Sequence, residues 1–254
     1  MKVLLLGATG NLGLRLVAAL LTHGHSVVAF VRSPKKLESL IPASVYQQIT
    51  VVQGDATDSA AIKKAILDAG CDAVVNTAGL AALPPWGKSD LPKIFRAVVD
   101  AAREAGAERK KPLRAWLLAG LGALYFPGSE TLLSNYIPIY LEHRQNLQLL
   151  QSLPQNTIDW SLLCPAVMTP EGSEIKVPTA SSHAKLIGNA WSPPSWRDSW
   201  VKHIPLIGKV ILCVMNAQRY KTTLEQNAEF IADDLESDES RWIGVTVGVI
   251  DPSK

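Results

Sequence analysis

Three glycines at three-residue spacing stand near the start of the chain, where they could bind a phosphate. Residues 7–13 read GATGNLG and follow the apolar run Lys2–Leu6, which is typical of a strand buried on both faces. Gly7 can make a tight turn, Gly10 lets the backbone approach a pyrophosphate, and Gly13 permits close packing of the helix that follows. The N–H groups at the start of that helix would bind the anion. The pattern predicts a dinucleotide-binding loop whose contacts come from Gly7, Thr9, Gly10, Asn11, Leu12 and Gly13.

The second predicted strand, Ser26–Val31, ends in basic residues. An acid at this position accepts from a ribose 2′-hydroxyl in NAD-selective folds, whereas an arginine reads the 2′-phosphate of NADP. Here Arg32 follows the strand, and its planar guanidinium can pair with a phosphate. Arg15, in the first helix, could assist. We therefore expect NADP(H) to be preferred over NAD(H).

A tyrosine, a histidine and an arginine in the middle of the chain could transfer or stabilise a proton. Tyr140, His143 and Arg144 fall within a helix predicted over about residues 137–153. Positions i, i+3 and i+4 share one helix face, and Tyr136 lies one turn earlier. A histidine titrates near neutral pH, so His143 is a candidate for proton transfer beside Tyr140. The alternatives are a pocket or packing role for Tyr140 and a plain surface position for His143.

Strand and helix patterns alternate over the first 160 residues. Strands are predicted at Lys2–Leu6, Ser26–Val31, Thr50–Gln53, 72–76, 114–119 and 158–164, with helices between them. Such alternation implies a parallel sheet with right-handed crossovers and helices on both faces. The expected fold class is α/β, a Rossmann-type doubly wound sheet with a small C-terminal substrate-binding section.

The character of the chain changes after Pro165. Residues 169–205 contain many prolines with little periodicity, and a helix at about 223–235 and a strand at about 242–250 come later. We therefore expect one domain, with a core at 1–168, a substrate-binding or lid section at 169–220 and a closing helix and strand at 221–254. Four tryptophans suggest an aromatic-lined cavity for a flat or polycyclic molecule, although each could equally pack in the core: Trp86, Trp191, Trp196 and Trp200.

Composition excludes several classes of protein. With 47% hydrophobic and 19% charged residues the chain is too apolar for disorder, and its net charge of +2 offers no basic footprint for nucleic acid. The three cysteines form no CxxC pair, which argues against a disulfide framework or a zinc site and fits a reducing, cytoplasmic location. No metal is expected. The most apolar stretch, residues 204–215, is broken by Pro205 and Gly208, so we predict a buried or pocket-lining helix and no membrane partner.

The GATGNLG loop resembles that of the NAD(P)-binding short-chain dehydrogenase/reductase superfamily. More narrowly it is similar to the atypical branch, which includes NmrA-like regulators and B-type flavin/biliverdin reductases. Residues 53–58 (QGDATD) resemble the family's GDxTD segment. Residues 77–79 resemble the segment after its fourth strand, and residues 157–169 resemble its sixth strand and the turn that follows. The resemblance implies that Asp55 and Ala56 lie near the adenine. It also implies that the cofactor runs along Thr77, Ala78 and Gly79, and that its nicotinamide lies near Pro165 and Ala166.

The same resemblance bears on catalysis. Better-known members use a serine, a tyrosine and a lysine, and Tyr140 to Arg144 resembles their YxxxK pattern with arginine in place of lysine. The usual serine is absent, because residues 118–122 read LAGLG. His143 matches a histidine that lies beside the nicotinamide in the B-type flavin reductases. These matches imply that Tyr140 or His143 donates a proton while Arg144 holds a ribose hydroxyl or acidifies the tyrosine.

Two function classes follow from these observations. The first is an NADP-dependent oxidoreductase that transfers hydride to a small aromatic, quinone-like or carbonyl substrate. The second uses the fold without redox chemistry, either as an NmrA-like sensor with a protein partner or as an isomerase or cyclase. The sequence leaves the oligomeric state open.

Overall fold

A computed structural model of the chain describes residues 1–79, 89–172, 184–237 and 239–253. The strands are β1 Lys2–Leu6, β2 Ser26–Val31, β3 Thr50–Gln53, β4 Ala73–Asn76, β5 Arg114–Leu118, β6 Asp159–Leu163, β7 Met168–Thr169, β8 Ile187–Ala190, β9 Thr222–Thr223 and β10 Val245–Ile250. The helices are α1 Asn11–Thr22, α2 Pro34–Leu40, α3 Ala43–Tyr46, α4 Ser59–Ala69, α5 Leu91–Arg109, α6 Glu142–Gln151, α7 Gly208–Ala217 and α8 Leu224–Asp234.

Eight strands form one sheet in the order β3-β2-β1-β4-β5-β6-β10-β8. All neighbours are parallel except β8, which runs antiparallel to β10 at one edge. Leu6 at the end of β1 is level with Phe30 of β2 and Asn76 of β4. The strand order reverses between β1 and β4, and a ligand crevice forms at such a switch point outside the carboxyl ends of the strands. The α/β fold is as predicted.

Helices cover both faces of the sheet. On one face, α4 and α5 pack through residues such as Ile66 and Phe95, while on the other α1 and α8 pack through Leu16 and Ile231. Alternate residues of β1, such as Leu4 and Leu5, enter opposite cores, which explains why this strand is apolar after Lys2. Side-chain caps fix several helix starts, among them that of α4, where Asp58 Oδ1 accepts from the Ala61 N–H at 3.0 Å.

Two predicted helix boundaries were wrong. The sequence pattern predicts a helix over residues 91–105 that is closed by Gly106. Helix α5 instead continues to Arg109, and a Cβ at Gly106 would lie 3.1 Å from the Lys111 carbonyl oxygen. Gly106 therefore allows close packing and does not terminate the helix. Helix α6 begins at Glu142 and not near residue 137, because Pro138 lies in that segment and Tyr140 has a φ of +52°, a left-handed conformation incompatible with an α-helix.

The section after residue 169 holds the largest differences from the sequence-based prediction. Strand β8 was not predicted, and it extends the sheet through its pairing with β10. The predicted apolar helix at 204–215 forms as α7, starting at Gly208, but it has two unlike faces. Leu212 and Cys213 are buried, whereas Val214 and Met215 are exposed. Within the described ranges no helix is both long and apolar enough to cross a bilayer.

Candidate functional site

The glycine loop connects the end of β1 to the start of α1 in a conformation that requires its glycines. Gly7 has a φ of +88°, and a Cβ there would lie 2.6 Å from Thr77 Oγ1. A Cβ at Gly13 would lie 2.0 Å from the Gly7 carbonyl oxygen, so any side chain would separate the helix from the strand. The turn is closed by the Gly10 N–H, which donates to the Gly7 carbonyl at 2.8 Å. The loop is thus a tight cradle that only these residues can form.

The N-terminus of α1 is suited to an anion. No side chain caps its first turn and no acidic residue lies there, whereas Ser33 and Asp58 cap the helices α2 and α4. Its unpaired N–H groups and the helix dipole therefore favour a phosphate at this end. Around the turn Asn11 is exposed, Thr9 is half-buried and Leu12 is buried. This donor set fits a pyrophosphate.

An arginine and an aspartate lie at the neighbouring strand ends. Arg32, after β2, is exposed, and Asp55, after β3, accepts from the Thr57 N–H at 2.8 Å and from the Thr57 hydroxyl at 2.9 Å. Those two hydrogen bonds, with smaller contributions from Arg32 and Lys93, hold the pKa of Asp55 below its usual value. Asp55 is therefore an ionised hydrogen-bond acceptor near a cation.

Arg15 does not extend toward these strand ends. Its Nε donates to Glu225 Oε1 at 3.1 Å, and a second guanidinium nitrogen donates to the Gly172 carbonyl at 3.1 Å. These contacts tie α1 to α8, so the expected help from Arg15 in reading a phosphate has no structural basis.

A cavity of about 430 Å³ lies at the carboxyl ends of β4, β5 and β6. The residues that follow these three strands form its floor, namely Thr77, Ala78 and Gly79, then Ala119, Gly120, Leu121 and Gly122, then Pro165 and Ala166. Thr77 Oγ1 donates to the Leu6 carbonyl at 3.1 Å, and Asn76 Oδ1 accepts from the Ala78 N–H at 3.1 Å. The floor is therefore hydrogen-bonded to the ends of β1 and β4.

The remaining walls are mostly apolar. They come from the segment before α6, from the residues after β6, from the segment between β8 and α7 and from the inner face of α7. They include Ile137, Ile139, Val167, Met168, Trp196, Cys213 and Ala217. Burial raises the pKa of the Cys213 thiol to about 11, so it remains a neutral wall group. A cavity of this size and polarity suits a small ring system.

His143 is the most perturbed titratable group in the cavity. Among the described residues its buried Nδ1 has no hydrogen-bond partner, and burial lowers its pKa to about 4. The ring packs over Gly120, where an added Cβ would lie 3.3 Å from His143 Cδ2. The expectation that His143 titrates near neutral pH was therefore wrong, because the imidazole is too poorly solvated to carry a charge. It is instead a neutral hydrogen-bonding group.

The predicted tyrosine–histidine–arginine face is only partly assembled. Tyr140 and His143 both line the cavity, with their rings edge-to-face at 6.4 Å between centroids. Arg144 is absent from the described walls, and its Nε donates to Ser134 Oγ at 2.7 Å. Tyr136 packs edge-to-face against Phe126 at 5.5 Å. Since α6 starts only at Glu142, helical spacing does not govern where Tyr136 and Tyr140 point.

Sequence reasoning missed two polar wall residues, Gln218 and Lys221. They follow α7 in a section without periodicity, so no local pattern marked them. Of the predicted aromatic wall, Trp196 lines the cavity and stacks on Tyr220 at 6.3 Å. Trp191 packs between Tyr125 and Trp160, Trp200 is exposed, and Trp86 lies outside the described residues.

The sequence and the fold of this chain are similar to those of known proteins. The model of the NAD(P)H-binding family matches residues 7–192. A Bacillus subtilis protein named as the uncharacterized sugar epimerase YhfK is 34% identical over 112 residues, which are 43% of this chain and 50% of that protein. The chain thus spans about half the length of this curated relative.

Two solved structures illustrate the likeness in fold. The anaerobillin reductase ChuY from Escherichia coli O157:H7 superposes with a TM-score of 0.61 at 19% identity, covering 100% of this chain and 98% of that one. A wide-type short-chain dehydrogenase/reductase from Veillonella parvula, solved with NADP, gives a TM-score of 0.62 at 14% identity, covering 99% and 94%. Identities this low show the fold alone. The family match spans the glycine loop, the strand ends and the cavity floor, and the chain belongs to the NAD(P)H-binding family.

Proposed function

We propose that this protein is an NADP(H)-dependent reductase whose acceptor is a flat, largely apolar molecule of aromatic, quinone-like or carbonyl type. One observation supports this most directly. Thr77 and Ala78 lie against Gly7 of the glycine loop and also form part of the cavity floor. A dinucleotide held by the loop would therefore extend into the cavity where an acceptor fits.

The assignment of contacts follows the strand ends. The pyrophosphate would be held by Gly7, Thr9, Gly10, Asn11, Leu12 and Gly13, and the adenine would lie beside Asp55 and Ala56. Arg32 would pair with the 2′-phosphate, which an aspartate or glutamate at this place would repel. Along the floor, Thr77, Ala78, Gly79, Pro165 and Ala166 would contact the nicotinamide half. When bound, NADPH supplies the hydride.

The side chains of the cavity then have distinct tasks. Apolar walls such as Ile137 and Met168 exclude water and hold the acceptor ring. The Tyr140 hydroxyl holds the proton that an acceptor oxygen needs once it has been reduced. His143, which is neutral above about pH 4, orients the acceptor through a hydrogen bond and does not act as an acid.

A second candidate is non-redox use of the same cofactor as a sensor. The observation in its favour is the engagement of Arg144 with Ser134, which removes from the cavity the cation expected beside Tyr140. An epimerase acting on a sugar is less well supported, although the Bacillus relative bears that name, because the mostly apolar walls offer few partners for the hydroxyl groups of a sugar.

The test is steady-state oxidation of NADPH with quinones, free flavin and aryl ketones as acceptors. The reductase proposal expects acceptor-dependent oxidation that is lost in Gly13→Ala, because the added Cβ would meet the Gly7 carbonyl at 2.0 Å. Gly172→Ala is the matched control, since a Cβ there meets no atom of the described residues within 4 Å. Tight NADPH binding without oxidation of any acceptor, and without any effect of Tyr140→Phe, would favour the sensor.

A further inference from the structure

The charge in the cavity walls is of one sign. Of the described residues that line the cavity, Lys221 alone is of a charged type, and no aspartate or glutamate is among them. Burial lowers the pKa of His143 to about 4 and raises the pKa of the Cys213 thiol to about 11, so both groups are neutral at pH 7. The described lining is therefore mostly apolar with a single positive charge.

The backbone on both sides of Lys221 is fixed. On one side the Thr222 N–H donates to the Val167 carbonyl at 3.1 Å, beside the pairing of β9 with β7. On the other side Tyr220 is fully buried, and its hydroxyl donates to the Pro194 carbonyl at 2.9 Å. Lys221 is therefore held next to the residues that follow β6.

This position separates Lys221 from the glycine loop. In the sheet order β1-β4-β5-β6, strand β6 is three strands away from β1, which is about 14 Å at the usual spacing of ~4.8 Å between strands. The glycine loop follows β1, so the phosphates of a dinucleotide held there would lie far from this lysine. The charge of Lys221 is thus at the acceptor end of the proposed complex.

An indole wall lies beside the same lysine. Trp196 lines the cavity and stacks on Tyr220, the residue before Lys221, with 6.3 Å between ring centroids and 21° between ring planes. Its segment is fastened to α7 by Asn216, whose Oδ1 accepts from the Arg197 N–H at 3.0 Å and whose Nδ2 donates to the Arg197 carbonyl at 2.9 Å. The aromatic surface and the ammonium group therefore come from two segments that are held together.

We propose that the acceptor is an aromatic carboxylate, whose ring packs against Trp196 and whose carboxylate pairs with Lys221. An ammonium group has three N–H donors, so Lys221 can bind a carboxylate beside any contact that it makes within the chain. Next to apolar walls two opposite charges attract more strongly than in water, whereas an amine in place of the acid would be repelled. Reduction of this molecule rests on the proposed function, but its binding does not.

Binding is tested without turnover by isothermal titration of the full chain with NADP⁺ in excess. The probes are 2-naphthoate and 2-naphthamide, which have nearly the same size and shape and differ in charge. In the wild type the carboxylate should bind about tenfold more tightly, the gain expected from one charge-assisted hydrogen bond. Lys221→Met should bring the two dissociation constants within a factor of about two, and Lys221→Arg should retain the preference. Lys202→Met is the matched control, because that lysine pairs with Asp198 and is not among the described cavity walls.

Three results would overturn the proposal. They are equal binding of carboxylate and carboxamide by the wild type, a preference that persists in Lys221→Met, and no binding of either probe. A loss of the preference in Lys202→Met as large as that in Lys221→Met would show that general surface charge, and not the cavity lysine, attracts the carboxylate.

Turnover separates this inference from the proposed function. With NADPH, a formyl derivative of 2-naphthoate should be reduced with a kcat/KM several-fold higher than that of the matching carboxamide, mainly through a lower KM, and Lys221→Met should remove this advantage. Equal kcat/KM for the two aldehydes in the wild type overturns the acceptor assignment. If neither aldehyde is reduced while 2-naphthoate is still preferred in binding through Lys221, the proposed function fails and the cavity remains a site for aromatic carboxylates.

Discussion

The rings of Tyr140 and His143 meet edge-to-face, with centroids 6.4 Å apart, in one wall of the cavity. Tyr140 adopts a left-handed backbone conformation with a φ of +52°, which is costly for a bulky residue. His143 is the first-turn residue of α6 on which that ring rests. The pair thus has a fixed geometry, with a phenol and a neutral imidazole facing the same space.

Tyr140→Phe should lower kcat by about 10²- to 10⁴-fold on an acceptor that needs a proton, because a positioned general acid contributes on that order. The ring and its packing on His143 are retained, so the Kd for NADPH should remain within a factor of two or so. Stopped-flow oxidation of NADPH and fluorescence titration measure the two quantities. Tyr46→Phe is the matched control, because that tyrosine is on α3 and is not among the cavity walls. An unchanged kcat in Tyr140→Phe would remove the phenol from the mechanism.

Arg32→Ala should weaken NADPH by roughly 10- to 100-fold, the loss expected when a charged group loses its hydrogen-bonded partner. NADH has no 2′-phosphate, so its affinity should change little. Arg103→Ala, at a partly exposed arginine on α5, controls for the loss of a surface charge. Isothermal titration with both dinucleotides gives the ratio, and equal weakening of NADH and NADPH would refute the contact.

Much of the cofactor side could be predicted from the sequence because its determinants are local. The glycine loop, the strand before it and the helix after it lie within about twenty residues, and the steric need for Gly7 and Gly13 follows from the turn itself. The position of Arg32 after β2 was predicted in the same way, whereas its contact with a 2′-phosphate stays a prediction. The alternation of predicted strands and helices indicated a parallel sheet with helices on both faces.

The substrate side depends on contacts between distant segments, which a single sequence does not reveal. Arg144 shares a pentapeptide with Tyr140, yet its side chain is held by Ser134 and not by the cavity. Lys221 reaches the cavity only because α7 folds back over the strand ends. The low pKa of His143 likewise comes from burial by residues distant in sequence, such as Gly120. Contacts between distant segments also determine which side of α7 is exposed.

His143 should make the folded protein sensitive to acid. Its pKa in the folded state, about 4, lies below the ordinary value of 6.5, so the unfolded chain binds the proton more readily. The free energy of unfolding therefore falls as the pH drops from about 6.5 toward 4, by roughly 3 kcal/mol from this group. In His143→Phe that contribution disappears, and urea unfolding at pH 7 and pH 4.5 should show a smaller difference than in the wild type. Equal differences in the two proteins would contradict the lowered pKa.

His23 should have the opposite pH dependence. Its Nε2 lies 2.7 Å from Glu229 and its Nδ1 lies 2.6 Å from Glu236, so both ring nitrogens can donate to these carboxylates when the ring is protonated. Burial lowers the pKa of His23, but the two hydrogen bonds and the charges of the glutamates outweigh it and raise the pKa above 6.5. The link between the end of α1 and α8 is therefore complete below about pH 6.5 and weakens as the pH rises through the raised pKa.

The variant His23→Gln should accordingly lose more stability at pH 6 than at pH 9 relative to the wild type. Thermal unfolding at both pH values measures this difference, with His203→Gln as the control because that histidine is exposed. His25, whose pKa is lowered by burial, lies 6.4 Å from His23 between ring centroids, so the comparison must be made variant against wild type at each pH. A loss of stability that is the same at pH 6 and pH 9 would mean that the glutamates hold a neutral ring.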